Sequence, residues 1–177
     1  MARRRARVTI AVRPAVEVDA PGACEAMRRS IRDLCAADHG DDPAALAAWL
    51  ANKTPDHVRS WIASESSFSV VAVREEQVVG FGLIARSGEL HLCYVHPEAR
   101  FQGVSSAMLV ALEERAALWG LDAVVLTSSL TARRFYERRG YRSCGEPVAV
   151  FGAQRAFPML KDLGKTGFAT SAAAGRL

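Results

Sequence analysis

The chain has 177 residues, half of them hydrophobic, which suits one domain with a full core. No apolar run approaches the roughly 18 residues of a membrane span, so we expect no membrane partner. The net charge of +4 comes from the two ends, because residues 1–7 and 164–177 hold six basic residues and no acid. The body between them is slightly acidic, which argues against a nucleic-acid partner.

The first half of the chain predicts one strand followed by helices. Alternating apolar residues over 8–12 are typical of a strand, and residues 19–21 are typical of a helix start. Turn-forming residues over 38–43 end that first long helix. Two shorter helices are predicted, at 44–50 and from Thr54 onward.

The second half predicts a sheet interrupted by two helices. Strands are expected at 69–73, 78–85, 89–95, 122–127, from Tyr141 and at 157–163, and helices at 103–119 and 130–139. The strand over 157–163 is expected to lie at an edge of the sheet. Hairpins combined with one helical crossover predict a mixed sheet.

Compartment is indicated by the cysteines and by the start of the chain. The four cysteines show no C-x-x-C spacing, which favours a reduced environment. The basic start is not followed by a long apolar region, so no secretory leader is expected. We therefore expect a cytoplasmic protein, and the alanine-rich and arginine-rich usage favours a bacterial source.

The most informative segment joins the strand that ends at Val95 to the helix that begins near Gly103. A helix start carries unpaired backbone N–H groups and the positive end of the helix dipole, which together bind phosphate. Gly103 has no Cβ, so a phosphate can lie close to the backbone there. Arg100 adds a planar set of donors that suits phosphate oxygens.

The spacing Arg100-x-x-Gly103-x-Ser105, directly after Tyr94-Val95-His96-Pro97, resembles the coenzyme A pyrophosphate loop of the GNAT N-acetyltransferases. Two positions depart from that family. Ser105 stands where glycine or alanine is usual, and Phe101 stands where glycine is common. Phe101 either covers the adenosine side of the cofactor or faces solvent.

A second segment, from Ser128 to Tyr141, resembles the family's Asn-x-x-Ala-x-x-x-Tyr-x-x-x-Gly-Phe helix. Ala132, Tyr136 and Gly140 hold their places in that pattern. Ser129 replaces the usual asparagine, and Tyr141 replaces phenylalanine. Because the two matched segments occur in the right order and separation, the chain is identified as similar to this family over about residues 8–163.

The resemblance implies an α/β (mixed α+β) GNAT fold in a single domain over residues 8–163. Its central sheet is expected to be mixed, mostly antiparallel and twisted, with six to seven strands and about four to five flanking helices. Residues 1–7 are then a basic tail, and residues 164–177 are expected to be disordered. Family members often pair, so a homodimer is a further expectation.

The resemblance also implies acetyl-CoA as cofactor. Cys35 and His39 have the spacing of two zinc ligands, but two further ligands are not evident, so no metal is expected. The backbone N–H of Val95 is expected to point at the thioester oxygen, where charge develops during transfer. The residues expected to bind the cofactor are Tyr94, Val95, Arg100, Phe101, Gln102, Gly103, Val104, Ser105, Ser106, Ser129 and Ala132.

Two residues are predicted to be catalytic, Tyr136 and Glu89. A tyrosine at position 136 of this family pattern stands near the coenzyme sulfur, where a phenol can protonate the departing thiolate. The alternative is that Tyr136 only packs against the pantetheine arm. Glu89 resembles the catalytic glutamate of the family's histone acetyltransferase branch. His91 is a rival base with a pKa nearer neutrality, and Glu89 alternatively lies at a strand start only because it is solvated there.

The acceptor is expected to be an amine of a small molecule or a peptide. Acids and one histidine over residues 38–42 would attract such a cation, with Trp49 and Trp61 as an aromatic wall. The alternative is a capped, solvated helix connection beside two core tryptophans. Strand alternation places Glu89, His91 and Cys93 on one face of their strand. A non-catalytic domain that binds acyl-CoA as a sensor or scaffold is the competing function.

Overall fold

A computed structural model describes residues 9–150 and 154–164 of the protein. Within these residues eight strands form one mostly antiparallel sheet. The strands are β1 (Ile10–Pro14), β2 (Ser67–Arg74), β3 (Gln77–Ala85), β4 (Glu89–Val95), β5 (Ala123–Ser128), β6 (Arg142–Ser143), β7 (Val148–Val150) and β8 (Gln154–Asp162). The helices are α1 (Ala20–Leu34), α2 (Ala36–His39), α3 (Pro43–Leu50), α4 (Pro55–Ala63), α5 (Val104–Leu118) and α6 (Leu130–Glu137).

The strand order is β1-β2-β3-β4-β5-β8-β6, and the three-residue β7 pairs with β8. Neighbouring strands are antiparallel except β4 and β5, which are parallel because α5 connects them. The seven strands predicted from the sequence are present, and β7 is the eighth. The predicted tails, residues 1–7 and 164–177, lie outside the described residues except for Gly164.

The sequence predicted that the last strand lies at an edge of the sheet, and this prediction is wrong. Residues 157–162 of β8 pair with β5 on one side, and Met159 and Leu160 of the same strand pair with β6 on the other. The strand therefore occupies an interior position. Since β6 has only two residues, it carries no alternating pattern from which its pairing could be predicted.

Helices cover both faces of the sheet. On one face α1 packs on β3 and α4 packs on α1 and β2, and Met27, Val58 and Phe81 of this cluster are all fully buried. On the other face Met108 and Leu112 of α5 belong to the largest buried cluster. No helix in the described part of the chain is long and apolar enough to cross a membrane.

A β-bulge in β4 changes which side chains share a face. Leu83 of β3 pairs with Leu92, but the next residue pairs with Leu90, so His91 is an extra residue in β4. Leu90 consequently joins the buried cluster that includes Val95 and touches Cys93, whereas Leu92 packs on the opposite face. The predicted alternation therefore fails between Glu89 and Cys93, because it does not survive a bulge, whereas the side chains of Glu89 and His91 remain neighbours.

The sheet opens between β4 and β5. These strands pair at only two positions, Glu89 with Val125 and Leu90 with Leu126. Beyond them the strands separate, and the remaining part of each faces a gap. The bulge at His91 lies directly after the last pair, where β4 leaves its neighbour.

Candidate active site

Two cavities lie on either side of the gap between β4 and β5. The first, here called the loop cavity, measures about 280 Å³ and is lined by Arg100, Phe101 and residues 103–106. The second, here called the Trp49 cavity, measures about 250 Å³ and is lined by Trp49, His91 and part of β5. Both are bordered by the same five residues, which are Cys93, Tyr94, Ser129, Ala132 and Tyr136. The two cavities therefore adjoin at these five residues.

The N-terminus of α5 opens into the loop cavity. Gly103 precedes the helix with φ of 81°, a left-handed conformation that favours glycine. No side chain of the described residues caps this end, and a Cβ placed on Gly103 would meet no atom within 4 Å. The first N–H groups of α5 are therefore available to an anion.

Arg100 and Phe101 border this helix end. The Arg100 guanidinium lies 4.7 Å from the centre of the Phe101 ring. Phe101 has φ of 60°, a left-handed backbone conformation that is unfavourable for a large side chain. Its side chain is 94% exposed. The Gln102 amide instead donates to the carbonyl oxygen of Glu98, 3.0 Å away, and points along the loop.

The backbone of Val95 faces the gap. Val95 pairs with Gly80, and the N–H of the next residue, His96, donates to the Val79 carbonyl oxygen at 2.8 Å. In an antiparallel pair this pattern directs the N–H of Val95 away from β3. Because β5 has already separated from β4, that N–H points into the opening, where a ligand oxygen can accept it.

The start of α6 is fixed by two side chains. The Ser129 hydroxyl accepts from the N–H of Ala132 at 3.2 Å and caps the helix. The Asp38 carboxylate accepts from the N–H groups of Leu130 at 2.6 Å and Thr131 at 3.2 Å. Asp38 thereby joins α2 to α6 beside the gap.

Tyr136 of α6 lies where the two cavities meet and is 7% exposed. Its ring packs edge-on against Phe135 and Tyr141, with centroid distances of 5.1 and 5.4 Å. Burial raises the pKa of the Tyr136 phenol well above its ordinary value, and the nearby Cys93 and Tyr94 add to this. The phenol is therefore protonated at neutral pH.

Cys93 shares that environment. Burial raises the pKa of its thiol to about 12, and a hydrogen bond with Tyr136 acts in the opposite direction. The thiol is thus held neutral, which does not suit a nucleophile. Any other sulfur that reached this point would also become a stronger base than in water.

The two predicted bases lie at different distances from the gap. His91 lines the Trp49 cavity, whereas Glu89 is absent from the described residues that line either cavity. Glu89 Oε1 lies 3.7 Å from His91 Nδ1, and both side chains are about half exposed. His91 therefore lies closer to the gap, with Glu89 behind it.

Two of the acids expected to attract an amine cap helices. Asp38 holds the start of α6, and the Asp42 carboxylate accepts from the N–H of Ala44 at 2.9 Å at the start of α3. This favours the interpretation of residues 38–42 as a capped helix connection. The two tryptophans expected to form one aromatic wall line different cavities. Trp49 lines the Trp49 cavity and donates to the Tyr94 hydroxyl at 3.2 Å. Trp61 lines a neighbouring cavity.

Three cationic residues at the site were not predicted from the sequence. Arg139 contacts the Ser106 hydroxyl at the open end of α5. Lys53 and Arg155 line the Trp49 cavity. Arg139 lies about one helical turn after Tyr136, so its proximity to the site could have been inferred from that spacing. Lys53 and Arg155 belong to no local motif.

The open sheet, the exposed start of α5 and the buried tyrosine lie together around the loop cavity. The model of the acetyltransferase (GNAT) domain family matches residues 35–163. The chain therefore belongs to the GNAT acetyltransferase family, as the two motifs indicated. No curated protein matches the chain in sequence.

Solved structures show the same fold. A GCN5-related N-acetyltransferase from Rhodopseudomonas palustris is 24% identical with a TM-score of 0.77, covering 87% of this chain and 96% of its own. PaiA N-acetyltransferase from Thermoplasma acidophilum, solved in complex with coenzyme A, is 19% identical with a TM-score of 0.74, covering 87% and 99%. The protein yncA from Salmonella typhimurium, solved with its cofactor acetyl-CoA, is 16% identical with a TM-score of 0.68, covering 88% and 94%. These likenesses confirm the predicted GNAT fold.

Proposed function

We propose that this protein is an acetyl-CoA-dependent N-acetyltransferase that acts on a primary amine of a small molecule or peptide. The observation that carries the proposal is the meeting of the loop cavity and the Trp49 cavity at Tyr136. A donor and an acceptor bound in the two cavities would face each other through the gap. That arrangement suits direct transfer without a covalent enzyme intermediate.

The residues of the loop cavity suit the cofactor. The N–H groups at the start of α5 would hold the diphosphate, with Arg100 and Arg139 beside it. The free edge of β4 at Val95 would pair with the amides of the pantetheine arm. When bound, acetyl-CoA supplies an acetyl group that is already activated as a thioester. Structures of the family with coenzyme A or acetyl-CoA support this assignment.

Two groups of the chain act on the reacting atoms in this proposal. The N–H of Val95 donates to the carbonyl oxygen of the acetyl group, where negative charge develops. The Tyr136 hydroxyl holds a proton for the departing sulfur. Its raised pKa keeps that proton in place at neutral pH, and burial would also raise the basicity of a thiolate that departs there.

The acceptor amine must lose a proton before it attacks, since an ammonium has no free electron pair. His91 lines the Trp49 cavity and is placed to accept that proton, either directly or through water. Glu89, 3.7 Å from the His91 ring, would stabilise the protonated imidazole. The predicted role of Glu89 as the base itself requires a water between it and the amine.

Replacing Tyr136 by phenylalanine tests the proposal. We expect turnover, measured as free thiol released from acetyl-CoA, to fall by about 100-fold or more, the usual contribution of a general acid. The affinity for coenzyme A should change little, because the ring still packs beside Phe135.

Tyr141→Phe is the matched control. It also removes one buried hydroxyl, but that hydroxyl donates to Glu113 at 2.9 Å and lines neither cavity. Turnover that is unchanged in Tyr136→Phe would remove the proposed acid. Saturable coenzyme A binding without thiol release for polyamines, aminoglycosides, amino acids or peptides would instead support the non-catalytic sensor.

A further inference from the structure

The Trp49 cavity carries an unbalanced positive charge. The cationic residues Lys53 and Arg155 both line it, and so does the imidazole-bearing His91. Asp38 is the only acid among the described residues that line it, and both of its carboxylate oxygens already accept from the start of α6. A cationic ligand would therefore meet two like charges there and only a carboxylate that is already engaged.

Lys53 is unusual for a lysine because it is only 5% exposed. Its backbone is fixed just beyond α3, where its N–H donates to Leu50 and its carbonyl oxygen accepts from Arg28 at 3.0 Å. The Cys24 thiol donates to the same carbonyl at 3.1 Å. The side chain therefore leaves a fixed backbone position, and Lys53 lines both the Trp49 cavity and the neighbouring cavity that Trp61 borders.

The Lys53 ammonium lacks an acidic partner in the described part of the chain. It donates to the side-chain oxygen of Asn52 and lies 5.7 Å from the centre of the Trp61 ring. An ammonium has three donors, and one neutral amide satisfies only one of them. Burial lowers the pKa of Lys53, which is the mark of a charge that lacks compensation. An anion bound here would supply the compensating negative charge.

From this arrangement we infer that the acceptor bears a carboxylate near its reactive amine, and that Lys53 and Arg155 bind that carboxylate. The inference rests on the proposed acetyltransferase activity and narrows its acceptor to amino acids or peptides with a nearby carboxylate. Arg155 offers a planar pair of donors and Lys53 a compact charge, which together suit a carboxylate. The Trp49 ring supplies an apolar wall beside them.

The inference disfavours polycationic acceptors. Polyamines and aminoglycosides carry several ammonium groups, and none of these gains a free carboxylate in the Trp49 cavity. The amine of a carboxylate-bearing acceptor can reach the gap beside Tyr136 while its carboxylate stays with Lys53, because one cavity borders both residues.

Matched acceptors test this directly in a thiol-release assay with acetyl-CoA and the full chain. Glutamate is compared with glutamine, aspartate with asparagine, and amino acids with their amides, with spermidine as the cationic amine. At least one carboxylate member should exceed its neutral partner in kcat/KM by about tenfold to a hundredfold, as expected for charge-assisted hydrogen bonds.

Variants then locate the carboxylate. Lys53→Met keeps the length of the side chain, removes a buried charge and loses the ammonium's contacts with the exposed Asn52 and the Trp61 ring, so the fold should persist. We expect it to raise KM for the carboxylate acceptor and to abolish the preference, with kcat little changed. Arg155→Gln should reduce the preference in part, and Lys53→Arg should retain much of it. Arg59→Gln, which removes a charge on α4 outside the cavity, should change nothing.

Three results would overturn the inference. These are equal or faster turnover of the neutral partners or spermidine, a carboxylate preference that survives in Lys53→Met, and no turnover of any panel member by protein that binds coenzyme A. Turnover of spermidine alone would leave the proposed acetyltransferase activity standing while this inference fails. Absence of coenzyme A binding would instead remove the proposed function first.

Discussion

Phe101 combines a positive φ of 60° with an exposed fraction of 94%. A left-handed conformation costs an L-residue roughly 1–2 kcal/mol, and an exposed ring recovers little of this through burial. Its visible partner is the Arg100 guanidinium, 4.7 Å from the ring centre. The backbone conformation explains why glycine is common at this position in the family.

We expect Phe101→Gly to raise the free energy of unfolding by about 0.5–1 kcal/mol, because relief of the positive φ exceeds the added entropy of the unfolded chain. Thermal and urea denaturation measure this. Gln102→Gly, at the next residue, should lower stability, since Gln102 lacks a positive φ and loses a hydrogen bond. Equal losses in the two variants would show that Phe101 is not strained.

Residue roles in β4 show where prediction from sequence stops. The motifs predicted that Tyr136 and Gly103 lie near each other, and both line the loop cavity, since both depend on local spacing. The bulge at His91 depends on the register of β3 against β4, which no local pattern contains. Strict alternation therefore misplaced Glu89 relative to Cys93. Lys53 was missed for a similar reason, because only the folded arrangement brings it to the cavity.

At the scale of elements, α2 and α6 are held together by one carboxylate. Asp38 and Leu130 are 92 residues apart in the chain, and their hydrogen bond of 2.6 Å fixes the start of the helix that carries Tyr136. Such a long-range cap has no sequence signature, whereas the local caps Ser129 and Thr54 do. The sequence left two roles open for the acids over residues 38–42, attraction of the acceptor amine or a capped helix connection.

Asp38→Ala separates these roles. If Asp38 acts as a cap, its loss should lower the free energy of unfolding by about 1 kcal/mol and reduce kcat, because Tyr136 is then less firmly placed. Thr54→Ala is the matched control, since it removes a cap from α4, which lines neither cavity, and should lower stability without changing kcat. A large rise in KM for the amine at unchanged stability would show that Asp38 binds the acceptor.

At the scale of the whole molecule, the sheet is continuous except between β4 and β5. The order of helices and strands followed from periodicity and turn residues, so most of the fold could be predicted from the sequence. The interior position of β8 could not be predicted, because its partner β6 has only two residues and the pairing of β8 with β5 joins distant parts of the chain. The two-sided opening is likewise a property of sheet topology rather than of any motif.

Calorimetric titration with coenzyme A and with pantetheine, which lacks the diphosphate and the adenosine 3′-phosphate attached to it, tests the central claim most directly. If the start of α5 holds a diphosphate, coenzyme A should bind saturably to one site, and pantetheine should bind at least about a hundredfold more weakly, because several charge-assisted hydrogen bonds are lost. Equal affinity for the two compounds, or no heat with coenzyme A, would contradict the account.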